Sequence, residues 1–138
     1  MTSLPRAENP LVIRTDFTDD ELWTRLREQI AAPQEDDFQA LVEFLDDRVN
    51  AGLAVSAIAS TSIEATGHTF LFLADSTTMT HSEHPVLVVA TTGGQVNSFR
   101  VIPSEMWAVE NNLSLGNMDF HEFADAVDPD GVFRGFRE

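Results

Sequence analysis

The sequence contains no cysteine, which removes disulfide frameworks, thiolate metal sites and thiol catalysis together. It contains no lysine either, so all 8 basic residues are arginine, set against 23 aspartates and glutamates. The balance, 8 − 23 = −15, repels nucleic acid and anionic membranes and steers toward basic partners. Long apolar runs are also missing. The longest are short stretches such as "VLVVA", far below the ~20 residues that span a bilayer. The opening "MTSLPRAENP" has neither a basic nor an apolar region of the kind a secretory signal needs. No nucleophile elbow, Walker motif or dinucleotide fingerprint is present. These absences leave a cytoplasmic protein with no membrane and no nucleic-acid partner as the expectation.

What is present suits one globular domain. A chain of 138 residues with 43% hydrophobic content can bury roughly two thirds of its unfolded surface without staples. Residues 1–9 read as a disordered leader, and 10–138 as the domain. "LVIRT" (11–15) is a near-continuous apolar run, the signature of a strand covered on both faces. "TDDELWTRLREQIAA" is an amphipathic helix with Leu22, Leu26 and Ile30 on its core face. Thr18 and Glu21 form a capping box at its start. "ALVEFL" (40–45) and "HTFLFLAD" (68–75) read as the second and third strands, with a weaker helix, "LAVSAIAS", between them. "VLVVAT" and "VNSFRVI" form a hairpin about "TGGQ". A helix over "PSEMWAVENNLSLGN", a short one over "DFHEFADAV" and a tail docked by two phenylalanines complete the chain. The expected fold is therefore α/β, with about five strands in one mixed sheet ordered β-α-β-α-β, hairpin, helices. That element order is similar to thioredoxin-like folds, with Pro85 opening a strand, and a cis bond before Pro85 is conceivable. The turn that carries CxxC in thioredoxins reads "DDRVNAGL" here, which excludes redox activity.

Three parallel strands run out into Asp16, Asp46 and Asp75, and ligands of open α/β sheets bind outside those carboxyl ends. Converging carboxylates there would suit Mg²⁺ and phosphoryl chemistry. Aspartate is equally a turn residue at strand ends. "HSEH" offers His81 and His84 as zinc ligands with Asp75 nearby, or simply two surface histidines. "DPDGVF" lacks both ends of a calcium loop, because Ala126 and Arg137 stand where ligands are needed. In "VENNLSLGNMDFHEFAD", Gly116 suits a helix C-cap, and Asp119 with Glu122 suits a capping box. That leaves Glu110, Asn111 and Asn112 without a structural role, beside Trp107, which lies off the Met106–Val109–Leu113 stripe. These four are the candidate binding residues, and Trp107→Ala is expected to disturb association more than folding.

Three segments, "LVIRTDFTDD", "LFLADSTTMTHSEHPVLVV" and "RVIPSEMWAVENNLSLGNMDFHEFADAVDPDGVFRGF", resemble an actinobacterial family of small acidic proteins known only as a domain of unknown function. The resemblance implies a cytoplasmic bacterial protein and brings no activity, cofactor or catalytic residue. The functional expectation is a non-enzymatic acidic binding or regulatory protein, monomer or homodimer, engaging a basic protein partner. An immunity- or antitoxin-like role fits that description. The alternative is a divalent-metal enzyme built on Asp16, Asp46 and Asp75.

Overall fold

The computed structural model describes residues 4–136. Its strands are β1 (Leu11–Arg14), β2 (Glu43–Leu45), β3 (Phe70–Ala74), β4 (Val86–Thr92), β5 (Gln95–Val101) and β6 (Val132–Phe133). The helices are α1 (Asp20–Ala31), α2 (Ser60–Ala65), α3 (Ser76–Thr80), α4 (Met106–Leu115) and α5 (Phe120–Ala124). One mixed sheet runs β2-β1-β3-β4-β5-β6. β1, β2 and β3 are parallel, β4 and β5 form the antiparallel hairpin, and β6 lies parallel to β5. The α/β single-sheet expectation holds, with a sixth strand contributed by the tail.

The chain leaves β1 toward β2 and then crosses back to β3, so β1 sits between its parallel neighbours. Crossovers of one hand running in opposite directions must place their helices on opposite faces. The two cores follow that division. On one face α1, α3, α4 and α5 cover Val12, Phe70, Phe72, Val88 and Phe99. On the other, α2 contributes Ile63 above Leu11, Ile13, Leu71, Leu73 and Val89. β1 and β3 are buried along their whole length, as their unbroken apolar sequences require. The thioredoxin-like likeness rests on element order alone.

Several local details differ from the sequence reading. The N-cap of α1 is Asp19, whose side chain accepts from the Leu22 amide, because Thr18 is already engaged by Asp16. The second helix is Ser60–Ala65, beyond the expected "LAVSAIAS", of which Val55–Ala57 form only a 3₁₀ turn. Ile58 and Ile63 carry the apolar anchors there, and a run of alanines cannot compete for that burial. No described peptide bond is cis, so the bond before Pro85 is trans. His84 ahead of it takes φ 51°. Of the expected leader, residues 1–3 lie outside the described part. Residues 4–9 lie against the domain: Leu4 is buried, the Ala7 amide donates to Thr66, and the Asn9 amide donates to Glu43. A single apolar anchor and a few backbone bonds overcome the polar composition that suggested disorder. Among the described residues no helix is long and apolar enough to cross a membrane.

Candidate functional site

The residues singled out from the sequence separate to opposite ends of the sheet. Asp16, Asp46, Asp75, His81 and His84 follow or flank the carboxyl ends of the parallel strands. Glu110 and Asn111 lie at the amino ends, where α4 has returned past the loop before β2.

At the carboxyl end the organising residue is Arg14, a lone cation closing the apolar run of β1 and only 3% exposed. A guanidinium buried this far needs its donors satisfied. Its Nε donates to the Asp16 carbonyl at 3.0 Å, Nη2 to Asp20 at 2.6 Å and Nη1 to Asp46 at 3.4 Å. The Arg14 hydrogen bond and charge hold the Asp20 carboxyl below its ordinary value. Asp16 turns its side chain onto the Thr18 amide and hydroxyl. Asp75 caps α3 and receives both guanidinium nitrogens of Arg100, at 3.0 and 2.8 Å. Burial acts to raise the Asp75 carboxyl, but the Arg100 bonds and the Thr78 donors outweigh it and keep it low.

The three strand-end aspartates therefore do not present a common face of free oxygens. Asp16 and Asp75 line one cleft and Asp46 the next. Nor do the histidines join them. His81 Nδ1 accepts from the Glu83 amide, and His84 Nδ1 bonds the Thr78 carbonyl. Glu83 is taken by Arg134, which also holds Asp128 and Asp130. The carboxylates of "DPDGV" thus form an arginine cradle. Bonds to Glu83 foremost, then to Asp130 and Asp128, raise the Arg134 guanidinium above its ordinary value. Among the described residues no three His, Asp or Glu side chains are grouped to hold a metal.

The carboxyl end does contain a cleft of about 550 Å³. It opens between the ends of β1 and β3, where the chain changes direction across the sheet and ligands of such sheets are bound. Leu53, Val55, Leu73 and Leu87 supply its apolar walls, and Asp16, Thr18 and Ser76 its polar rim. The segment after β2 is pinned over it by the Gly52 amide donating to the Thr15 carbonyl at 2.8 Å. Beside the cleft Asp19, Asp20, Asp46 and Asp47 are exposed. Val49, held in a 3₁₀ turn capped by Asp47, projects into solvent at 78% exposure. Sequence reading missed Arg14 and the 52–55 wall. A single arginine closing an apolar strand is the one signal that was there to read.

At the other end, the turn "ENN" has its partners within the chain. Glu110 is 3% exposed, contrary to its expected position on the outer side of the helix. Its Oε1 accepts from the Leu41 amide at 2.7 Å and from Asn111 at 2.8 Å, and its Oε2 from the Ser114 hydroxyl at 2.7 Å. Asn111 also donates to the Gln39 carbonyl. Asn112 donates back to Ala108 within the helix. Trp107 packs against the main core and stacks on Phe38, with ring centroids 4.7 Å apart and planes 7° from parallel. Gly116 ends α4 at φ 71°, and Asp119 with Glu122 forms the capping box of α5, as the sequence indicated.

No curated protein matches the chain. Residues 9–136 match the domain of unknown function DUF6924, which covers well over half of the sequence, and the chain belongs to that family.

Proposed function

We propose that this is a non-enzymatic binding protein of the bacterial cytoplasm, of actinobacterial origin, that engages a basic protein partner through the carboxyl end of its parallel strands. The observation that carries the reading is the combination at that end: an apolar-walled cleft, a rim of exposed carboxylates and the projecting Val49, on a chain of net charge −15. Exposed carboxylates set on-rate and exclude acidic competitors, while an apolar tip and a cleft supply the buried contact that holds a complex. A regulatory role, of which immunity or antitoxin action is one form, requires only such a surface. The metal-enzyme alternative has less support, since Asp75 is committed to Arg100 and Asp46 to Arg14.

The test is affinity capture from the native host with the wild-type chain and with a triple variant, Asp46→Arg, Asp47→Arg and Val49→Glu. Recovery of a basic protein by the wild type and its loss with the folded variant is the expected result. Recovery of no basic protein, or equal recovery by both chains, overturns the reading. Thermal melts with Mg²⁺, Mn²⁺ and Zn²⁺ address the alternative. A metal at 100 times its Kd would stabilise the fold by about 2.7 kcal/mol, and no such shift is expected.

A further inference from the structure

Beside the cleft described above lies a second one, of about 320 Å³, between α1 and the turn after β2. It gathers three of the chain's eight arginines, Arg14, Arg27 and Arg48, together with Asp20 and Asp46. For a chain with 23 carboxylates this is an unusual concentration of positive charge. Arg14 spends its donors on Asp16, Asp20 and Asp46. Arg27 and Arg48 are different. Both are exposed, and among the described residues neither makes an ion pair or a side-chain hydrogen bond. Each lies over an aromatic ring, Arg27 5.4 Å from the Phe44 centroid and Arg48 5.2 Å from that of Phe17, while Arg14 lies 4.4 Å from Phe17 and 5.4 Å from Trp23.

A cation–π contact of this kind restrains a guanidinium while leaving its donors available. Two forks restrained in this way line one cleft. The formal charge of the cleft is 3 − 2 = +1, counting its three arginines and two aspartates. That balance matches a monoanion. A phosphate dianion would exceed it and face Asp20 and Asp46 as well. Phe17, partly exposed, is the apolar wall beside the charged group, and Trp23 behind it is only 2% exposed.

We propose that this cleft binds the carboxylate of a small organic acid, held by Arg27 and Arg48 beside Phe17. Arg14 is a positioning residue, since it hydrogen-bonds Asp20 and Asp46 and leaves Arg48 only a longer-range attraction to Asp20. The proposal does not depend on the basic partner, because its ligand has the opposite charge and is held by Arg27 and Arg48, although Asp20 and Asp46 border both surfaces.

The chain has 2 tryptophans, so a ¹⁵N NMR spectrum carries two indole signals, and Trp107→Phe assigns the one from Trp23. Benzoate, its neutral isostere benzamide and inorganic phosphate are titrated separately at constant ionic strength. Benzoate is expected to move the Trp23 signal saturably, with benzamide and phosphate at least tenfold weaker. Arg27→Gln and Arg48→Gln should each weaken benzoate about tenfold, the value of one charge-assisted hydrogen bond. Arg25→Gln, exposed on the same helix outside the cleft, should leave it unchanged. Both cleft arginines are on the surface, and the rest of the spectrum verifies that the variants fold. Equal response to benzoate and benzamide would show an apolar cleft only. A phosphate response as strong as that to benzoate would reject the carboxylate assignment, and no saturable shift would reject the site.

Discussion

Glu110 gives the sharpest test of how this fold is held together. Its carboxylate, at 3% exposure, accepts three hydrogen bonds, one of them from the backbone amide of Leu41 on the loop before β2. Replacing it with alanine removes the acceptor and leaves that amide without its partner. A hydrogen bond to a charged group contributes about 1.5–3 kcal/mol, and Glu110 accepts three of them. The amide is the one donor of the three that ties α4 to another segment, since Asn111 and Ser114 lie on the same helix as Glu110. The expected cost of Glu110→Ala is therefore about 2–4 kcal/mol. Glu110→Gln keeps one carbonyl oxygen for the Leu41 amide and places an NH₂ beside the Ser114 hydroxyl, which can accept. Its cost should stay below about 1 kcal/mol. Urea denaturation at pH 7 measures both, and an unchanged m-value would show that the native state alone has been affected. Equal losses in the two variants, or a loss below about 1 kcal/mol for alanine, would refute the view that Glu110 is a structural acceptor.

Further outcomes follow from the arginine clusters and the aromatic stack. Arg100→Ala leaves Asp75 half-buried without its bidentate partner and should cost about 1–3 kcal/mol by denaturation; a loss within 0.5 kcal/mol, roughly that of an ordinary surface change, would contradict it. Glu83 and Asp130 are held below their ordinary values, chiefly by hydrogen bonds from Arg134. They therefore bind fewer protons folded than unfolded, and the stability they lend is present above about pH 4 and lost as pH falls through the depressed values. The stability gap between wild type and Arg134→Gln should accordingly close below about pH 4, whereas a constant gap would show that packing dominates. Trp107→Ala should cost about 2–3 kcal/mol of folding stability, since its ring packs on the core and on Phe38. Sedimentation of the variant should be unchanged; altered association with intact stability would restore the surface role that the sequence suggested.

The sequence by itself determined the elements whose information is local. The apolar runs "LVIR" and "FLFLA" demanded strands covered on both faces, the "TGGQ" turn fixed the hairpin with Thr92 opposite Gln95, and Asp119 with Glu122 and Gly116 marked helix ends. Each depends on a period, a cap or a left-handed glycine that a few neighbouring residues specify. The net charge was equally legible, because charge is a sum that no fold alters. Tertiary structure decided everything that depends on which side chains meet. Asp46 and Arg14 stand 32 residues apart, Asp75 and Arg100 25, and Glu110 and the Leu41 amide 69, and no periodicity reports such pairings. Three aspartates at strand ends looked like a metal site because their backbone positions do converge; two of them were claimed by arginines on other segments. The turn "ENN" looked unpartnered for the mirror-image reason, since the loop that satisfies Glu110 is distant in sequence. Long-range ion pairs and buried acceptors are set by the packing of the sheet, and only the folded chain could show that Arg27 and Arg48 make no close ion pair among the described residues.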